Sequence, residues 1–193
     1  MKKTKGKIIA ADIAECAIFV ALMSAAAYIT IPFPLVPLTF QTVIAVLAGL
    51  LLGWKKGLIS MSVYCFTGLI GVPVFAAGGG IFYVLKPSFG YILGFILSAA
   101  VAGLIAGRKD LPLWRYIVGA LAAFVADYLV GIPYCIIAAH LLNVDNLLSL
   151  FITGNLIYMP KDAVLSVLAG LLAYKVLPVI DKGRAKLNTQ KSK

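Results

Sequence analysis

Seven polar side chains interrupt the long apolar stretches of this sequence, and they are its first candidates for chemistry. Polar groups in hydrocarbon are costly, so those that occur there usually face a cavity or a partner. We therefore expect several of them to form a binding site. They are carboxylates, amides and one ammonium group: Asp12, Glu15, Gln41, Asp127, Asn155, Lys161 and Asp162.

Lys161 and Asp162 are the most distinctive of these residues because they follow Pro160 near the middle of the last apolar stretch. Proline removes a backbone hydrogen bond and bends a helix, and the carbonyls that it frees need a polar cavity. This pattern predicts a ligand pocket. The alternative is a structural ion pair between Lys161 and a carboxylate of another helix, since many buried ion pairs bind no ligand.

The other carboxylates have structural alternatives. Asp12 and Glu15 lie within about two helical turns of the predicted membrane surface, so each either has a function or extends to the lipid headgroups. Asp127 lies inside the fifth apolar stretch, and we expect it to pair with a neighbouring helix.

A long loop, Val72 to Ser88, connects the third and fourth apolar stretches. Glycine permits close backbone approach, and aromatic rings form flat apolar walls, so this composition predicts a lid over a small molecule. A flexible linker is the alternative, although linkers rarely carry so many apolar residues. The first outer loop, Ile31 to Leu38, has three prolines and would form a stiff rim opposite. The lid residues concerned are Gly78, Gly79, Gly80, Phe75, Phe82 and Tyr83.

Small residues recur along the first apolar stretch at spacings of three and four, which places them on one face of a helix. In a membrane such a face lets another helix approach closely. Either a partner protein or another helix of this chain could occupy it. The residues are Ala10, Ala14, Ala17, Ala21 and Ala25.

The elements that must position these residues are transmembrane helices. A hydrophobic fraction of 62%, a mean hydropathy of +1.03 and 12% charged residues exclude a soluble domain. Because a span needs about 20 apolar residues, the sequence predicts an all-α integral membrane protein, a bundle of six helices in a single domain over 1–193. We place the helices near 8–28, 39–53, 57–71, 89–107, 115–140 and 147–175, with a basic cytoplasmic tail over 176–193.

Charge predicts the orientation, because short loops rich in lysine and arginine stay in the cytoplasm. All of the 17 lysine and arginine residues except Lys86 and Lys161 fall on one side of the predicted bundle. Both termini should therefore be cytoplasmic, in the multi-pass arrangement of a prokaryotic cell membrane. The net charge of +10 lies in juxtamembrane tracts, where lipid explains it better than nucleic acid.

Catalysis has little support in this sequence. The one histidine, His140, has no G-x-S-x-G context, and no glycine-rich segment ends in a P-loop lysine. The three cysteines lie in different stretches without paired spacing, so neither a metal site nor a disulfide framework is expected. No cofactor is expected either. We predict a protein that is not an enzyme. A small intramembrane enzyme stays open as an alternative, and it would need a catalytic partner beside His140.

Four motifs in this sequence resemble the BioY family, the biotin-specific S components of energy-coupling factor (ECF) transporters. The resemblance covers nearly the whole chain. The motifs are VPLTFQTVIAVLAGLLLG over 36–53, GVPVFAAGGG over 71–80, PSFGYILGF over 87–95, and Pro160-Lys161-Asp162.

The resemblance implies a six-helix bundle that binds biotin from outside and joins a membrane scaffold subunit and two ATPases. It implies that the alanine face of the first helix meets the scaffold subunit. An S component for another vitamin is the alternative, since it would share the fold and the alanine face.

The resemblance also implies site residues. Asp162 would accept from the ureido N–H groups or anchor the nearby cation, Asn155 and Gln41 would supply amide contacts, and Lys161 or Lys86 would offset the carboxylate. The apolar walls would be Phe33, Phe75, Phe82, Tyr91 and Tyr158.

This chain departs from the family pattern at two places. Where the family commonly reads G-P-T-G-G-Y, Lys86 and Phe89 replace glycines. Where it often reads P-G-D-x-x-K, Leu165 takes the lysine position and Lys161 precedes the aspartate. Lys161 lies one turn before Leu165 on the same helix face, so we predict that the cation is relocated.

Overall fold

The structure, a computed structural model, describes residues 10–31, 36–107, 111–142, 156 and 158–190, with side chains to Gly183. Six α-helices and one short 3₁₀ helix, Ile81–Leu85, make up this part of the chain. The predicted all-helical class is confirmed, since only isolated bridges at Ile31–Leu38 and Phe75–Gly78 have β geometry there. The α-helices are α1 Ala10–Tyr28, α2 Gln41–Leu52, α3 Trp54–Leu69, α4 Phe89–Ala106, α5 Leu113–Leu141 and α6 Met159–Gln190.

Four helices in the described ranges are long and apolar enough to cross a membrane: α1, α4, α5 and the first 25 residues of α6. Helix α2 is equally apolar, but it has only 12 residues, and α3 has 16. The sequence predicted that these two would be short. A chain of this length and apolarity is that of a multi-pass membrane protein.

Helix α4 lies at the centre of the bundle and packs against α2, α3 and α5. Small residues permit this, because a Cβ at Gly94 would lie 2.7 Å from the backbone oxygen of Asp127, and one at Gly49 would lie 2.2 Å from that of Ala99. Helix α6 closes the bundle against α2 and α5. Helix α1 lies at the edge of the bundle. In the described ranges its substantial contacts are with α2 and α3, and only 22% of its most apolar 18-residue segment is buried.

A single residue, Gly53, joins α2 to α3. Its φ of 80° and ψ of 165° belong to a region that is open only to glycine. The corner fits against α4, because a Cβ at Gly103 would lie 2.2 Å from the backbone nitrogen of Trp54, and one at Gly107 would lie 2.9 Å from the Cα of Gly53. Helix α3 therefore begins three residues before its predicted start.

The last helix differs most from the prediction. The sequence predicted a helix over 147–175 with a bend at Pro160, but α6 begins at Met159, and residues 147–155 and 157 lie outside the described part. Pro160 is thus the second residue of the helix, where a missing N–H has no acceptor to lose, and the predicted bend is wrong. The helix continues through Pro178 to Gln190, into the residues predicted as a tail.

Candidate functional site

A cavity opens between the first loop, the lid loop and helices α2, α4, α5 and α6. Its volume is about 50 Å³, which is below the ~300–1,000 Å³ that is usual for small-molecule sites. Its wall combines carboxylate, amide and ammonium groups with several aromatic rings. The lining residues are Val36, Pro37, Leu38, Thr39, Gln41, Thr42, Ala76, Tyr83, Ser88, Tyr91, Ile92, Phe95, Tyr128, Tyr158, Lys161 and Asp162.

The first turn of α6 forms one polar corner of the cavity. The Tyr128 hydroxyl of α5 donates to Oδ2 of Asp162 at 2.7 Å, and the ammonium group of Lys161 lies 2.8 Å from Oδ1 of the same carboxylate. Lys161 also donates to the backbone oxygen of Thr39 at 2.6 Å. Lys161 therefore pairs with its chain neighbour, and the alternative of a pair between two helices is wrong.

The first turn of α2 forms a second polar corner. Gln41 donates from Nε2 to the Tyr64 hydroxyl at 2.6 Å, and Tyr64 donates to the backbone oxygen of Val74 at 3.1 Å. The adjacent Thr42 donates to Oδ2 of Asp127 at 3.5 Å, which meets the expectation that Asp127 pairs with another helix. Asp127 is fully buried, and its Oδ1 has no hydrogen-bond partner among the described residues.

Aromatic rings connect the two polar corners. Tyr91 of α4 packs edge-on against Tyr128, with their ring centroids 5.6 Å apart. Tyr158, just before α6, donates its hydroxyl to the backbone oxygen of Val36 at 2.9 Å. The cavity wall therefore combines aromatic rings with the polar groups of the first turns of α2 and α6.

The lid is anchored by Phe75, which is fully buried. Its ring lies 5.4 Å from that of Tyr64 and 4.6 Å from that of Tyr83, and it covers Gly68, where a Cβ would lie 2.0 Å from Cζ of Phe75. Burial raises the pKa of the Tyr83 phenol, against smaller opposing effects of its hydrogen bonds. The lid thus rests on α3 through one aromatic residue.

The glycines of the lid shape its turn. Gly78 and Gly80 have φ values of 103° and 107°, which other residues rarely adopt. Gly80 donates to the backbone oxygen of Gly68 at 2.7 Å. None of Gly78, Gly79 and Gly80 belongs to the cavity lining; Gly80 bonds the lid to α3, and Gly78 closes the turn by exchanging backbone hydrogen bonds with Phe75.

Of the predicted site residues, the structure brings five into the cavity wall: Gln41, Tyr91, Tyr158, Lys161 and Asp162. Phe75 lies behind the lid, and Phe82 is 80% exposed. Lys86 lies outside the wall, where it donates to the backbone oxygen of Ala77 at 3.2 Å and covers the ring of Tyr83. Phe33 and Asn155 lie outside the described residues.

The sequence did not predict Tyr128, Thr42 and Tyr64 as members of the site or its support. Thr42 follows Gln41 directly, and Tyr128 follows Asp127, so neighbouring polar residues were the available signal. No neighbouring residue indicated Tyr64, because its role depends on which helix packs against α2.

The alanine face of α1 points out of the bundle. Ala10, Ala14, Ala17, Ala21 and Ala25 are all exposed, so the alternative of packing within this chain is wrong. At the start of the helix, Lys56 of α3 forms ion pairs with Asp12 and Glu15. These two carboxylates therefore attach α1 to α3.

Comparisons with known proteins all point to one family. The model of the BioY family matches residues 1–182. A relative from Lysinibacillus sphaericus, named probable biotin transporter BioY, is 41% identical over 172 residues, which are 88% of this chain and 88% of that protein. The biotin transporter BioY of Thermotoga maritima is 37% identical over 61% of this chain and 70% of its own.

One solved structure shares the fold. It is the crystal structure of the S-component for biotin from an ECF-type ABC transporter. The TM-score is 0.64 at 23% sequence identity, and the match covers 86% of this chain and 90% of that one.

Proposed function

This chain belongs to the BioY family, and we propose that it is the S component of an ECF-type transporter that captures biotin. The observation that carries the proposal is the cavity, whose wall combines the polar side chains of Gln41, Lys161 and Asp162 with aromatic rings. Its relatives are named as transporters, and the chain is a transporter subunit rather than an enzyme.

The functional groups that line the cavity suit those of biotin. A ureido ring has two N–H donors and a carbonyl, the fused thioether ring is apolar, and the side chain ends in a carboxylate. Acceptors on Gln41 and Asp162 can take the N–H groups, Tyr91 and Phe95 can pack on the apolar ring, and Lys161 can offset the carboxylate. A ligand that meets both kinds of surface leaves few buried polar groups unpaired.

In the proposed arrangement the chain passes through the membrane of a prokaryotic cell six times, and both termini lie in the cytoplasm. The lysine and arginine distribution supports this orientation. The short helices α2 and α3 then end below the outer surface, and the lid and first loop fill the space above them. The cavity opens to the outside.

The proposed partners are a transmembrane scaffold subunit and two ATPases. No P-loop occurs in this sequence, so the energy for transport must come from other chains. The exposed alanine face of α1 supports docking of a scaffold helix, because small residues let two helices approach closely in lipid. No cofactor is part of the proposal.

The test is calorimetric titration of the detergent-purified full chain with biotin, and with riboflavin and thiamine as controls. Tight binding of biotin alone supports the proposal. Selective binding of one of the other vitamins would instead identify an S component of different specificity, and no binding of any would remove the capture role.

A further inference from the structure

We propose that the lid loop lies within the outer leaflet of the membrane, and that the 3₁₀ helix Ile81–Leu85 presents its exposed face to lipid acyl chains. The partner of this surface is therefore phospholipid, and the lid is not a loop in water. The inference goes beyond the capture of biotin. It rests on the proposed function only through the membrane arrangement given there.

The outer face of the 3₁₀ helix is apolar. Side chains three residues apart share one face of such a helix, and on this face Phe82 and Leu85 are 80% and 63% exposed. Tyr83, which lies on another face, is buried. Over 72–88 the sequence has one charged residue, Lys86. A continuous apolar face is costly in water but not in hydrocarbon, so its composition favours lipid as the neighbour.

The length of α3 places the lid at the depth of the hydrocarbon. Lys55 and Lys56 lie in the first turn of α3, so in the proposed arrangement that turn is at the cytoplasmic membrane surface. The 16 residues of α3 extend about 24 Å, whereas the hydrocarbon layer is about 30 Å thick. The last turn of α3 therefore ends inside the layer, and any tilt of the helix would place it deeper.

Both ends of the 3₁₀ helix are tied to this depth. Gly80, the residue before it, donates to the backbone oxygen of Gly68 at 2.7 Å, so the 3₁₀ helix begins level with the last turn of α3. After it, α4 begins at Phe89, and its 18 residues extend about 27 Å toward Arg108 at the cytoplasmic side. The 3₁₀ helix thus connects two points that both lie below the outer surface of the hydrocarbon.

Hydrogen bonds to the lid backbone give independent support. Lipid has no donors, so a loop in the membrane needs donors from the protein for its carbonyl groups, whereas water would supply them to an exposed loop. Side chains donate to four lid carbonyls, and three of these side chains are tyrosines of α1, α3 and α5. The pairs, donor first, are Tyr28 with Pro73, Tyr64 with Val74, Lys86 with Ala77, and Tyr134 with Val84.

The membrane then helps to hold the lid closed. Lifting the lid would move Phe82 and Leu85 from acyl chains toward water, which costs free energy in proportion to the apolar area exposed. It would also break the side-chain bonds to the lid carbonyls. The resting position of the lid is therefore stabilised by lipid as well as by the bundle.

The test is tryptophan fluorescence of the full chain in lipid nanodiscs. The two native tryptophans, Trp54 and Trp114, are first replaced by phenylalanine, which both positions should accept because both side chains are exposed. Each variant then receives one tryptophan, as Phe82→Trp or Leu85→Trp. Quenching is measured with phospholipid that is brominated on its acyl chains, and separately with acrylamide in the water.

Two further variants in the same background are the matched controls. Leu129→Trp marks lipid, because Leu129 is exposed near the middle of α5. Lys182→Trp marks water, because Lys182 is exposed and lies about two helical turns beyond Lys175 at the basic end of α6. We expect brominated lipid to quench both lid positions about as strongly as Leu129→Trp, and acrylamide to quench them several-fold less than Lys182→Trp.

The opposite pattern overturns the inference: weak quenching by brominated lipid, with acrylamide quenching equal to that of Lys182→Trp, would mean that the lid lies in water. Leu85→Trp decides alone if Phe82→Trp fails to fold. The result does not depend on biotin, so a chain that binds no vitamin would lose the capture role and keep this inference. If brominated lipid quenches Lys182→Trp as strongly as Leu129→Trp, the membrane arrangement fails, and this inference fails with it.

Discussion

Tyr128 and Asp162, on two different helices, share a hydrogen bond of 2.7 Å at the wall of the cavity. The bond occupies Oδ2 of the carboxylate, while Oδ1 lies 2.8 Å from the ammonium group of Lys161 and accepts no hydrogen bond from the described residues. The hydrogen bond from α5 thus orients the carboxylate and leaves Oδ1 available to a ligand donor.

Replacing Asp162 with alanine should abolish tight biotin binding without unfolding the bundle, because Tyr128 and Lys161 would both lose their partner. Tyr128→Phe should weaken binding about tenfold or more, because a hydrogen bond to a charged group contributes about 1.5–3 kcal/mol. Calorimetry measures both. Tyr174→Phe, on a ring that packs against Tyr116 outside the cavity wall, should bind like the native chain; retained affinity in Asp162→Ala would remove this residue from the site.

A second prediction concerns the two lysines. Lys161→Met should weaken biotin binding about tenfold or more, since it leaves the ligand carboxylate without a cation. Binding of biotin methyl ester should change far less, because that ligand has no charge to offset. Affinities for the two ligands measure the difference.

Lys86→Met is the matched control for this charge removal, because Lys86 lies outside the cavity wall and covers Tyr83. It should bind biotin almost as the native chain does. If Lys86→Met weakens binding and Lys161→Met does not, the carboxylate lies at the lid.

A third prediction concerns the outer face of α1. Ala14→Trp should leave biotin binding intact and abolish biotin uptake by cells, because the bulky ring prevents close approach of another helix. Leu129→Trp is the control, since Leu129 is 68% exposed on α5, away from the alanine face. Normal uptake with Ala14→Trp would mean that this face contacts only lipid.

A fourth prediction concerns the seat of the lid. Gly68→Ala would place a methyl group within 2.0 Å of the Phe75 ring and should displace the lid at a cost of about 1–3 kcal/mol. The melting temperature and biotin affinity should both fall. Gly183→Ala meets nothing within 4 Å, so it should leave both unchanged; the same result for Gly68→Ala would mean that the lid has another resting place.

The sequence predicted the chemistry of the site better than its geometry. Lys161 and Asp162 are in the cavity wall as expected. Pro160 does not bend a helix there, because it lies in the first turn of α6. Polarity in an apolar stretch is readable from the residues alone. The start of a helix depends on the packing of the segment before it. That packing cannot be read from the residues alone.

The missed residues have a similar explanation. Tyr128 contributes to the site because the rotation of α5 turns its hydroxyl toward α6, and a tyrosine in an apolar stretch carries no signal of this. The lid was predicted from its glycines, yet its anchor is Phe75 on Gly68. That contact pairs two residues from different elements, so no local pattern reveals it.

The one-residue corner at Gly53 has a mechanical consequence. Helices α2 and α3 are joined with no slack, and α4 presses on the same corner through Gly103 and Gly107. Three helices are thus closely packed at this end, and a tilt of one would push on the other two. We therefore expect the opening that admits a ligand to occur at the other end of these helices, where the lid and the first loop lie.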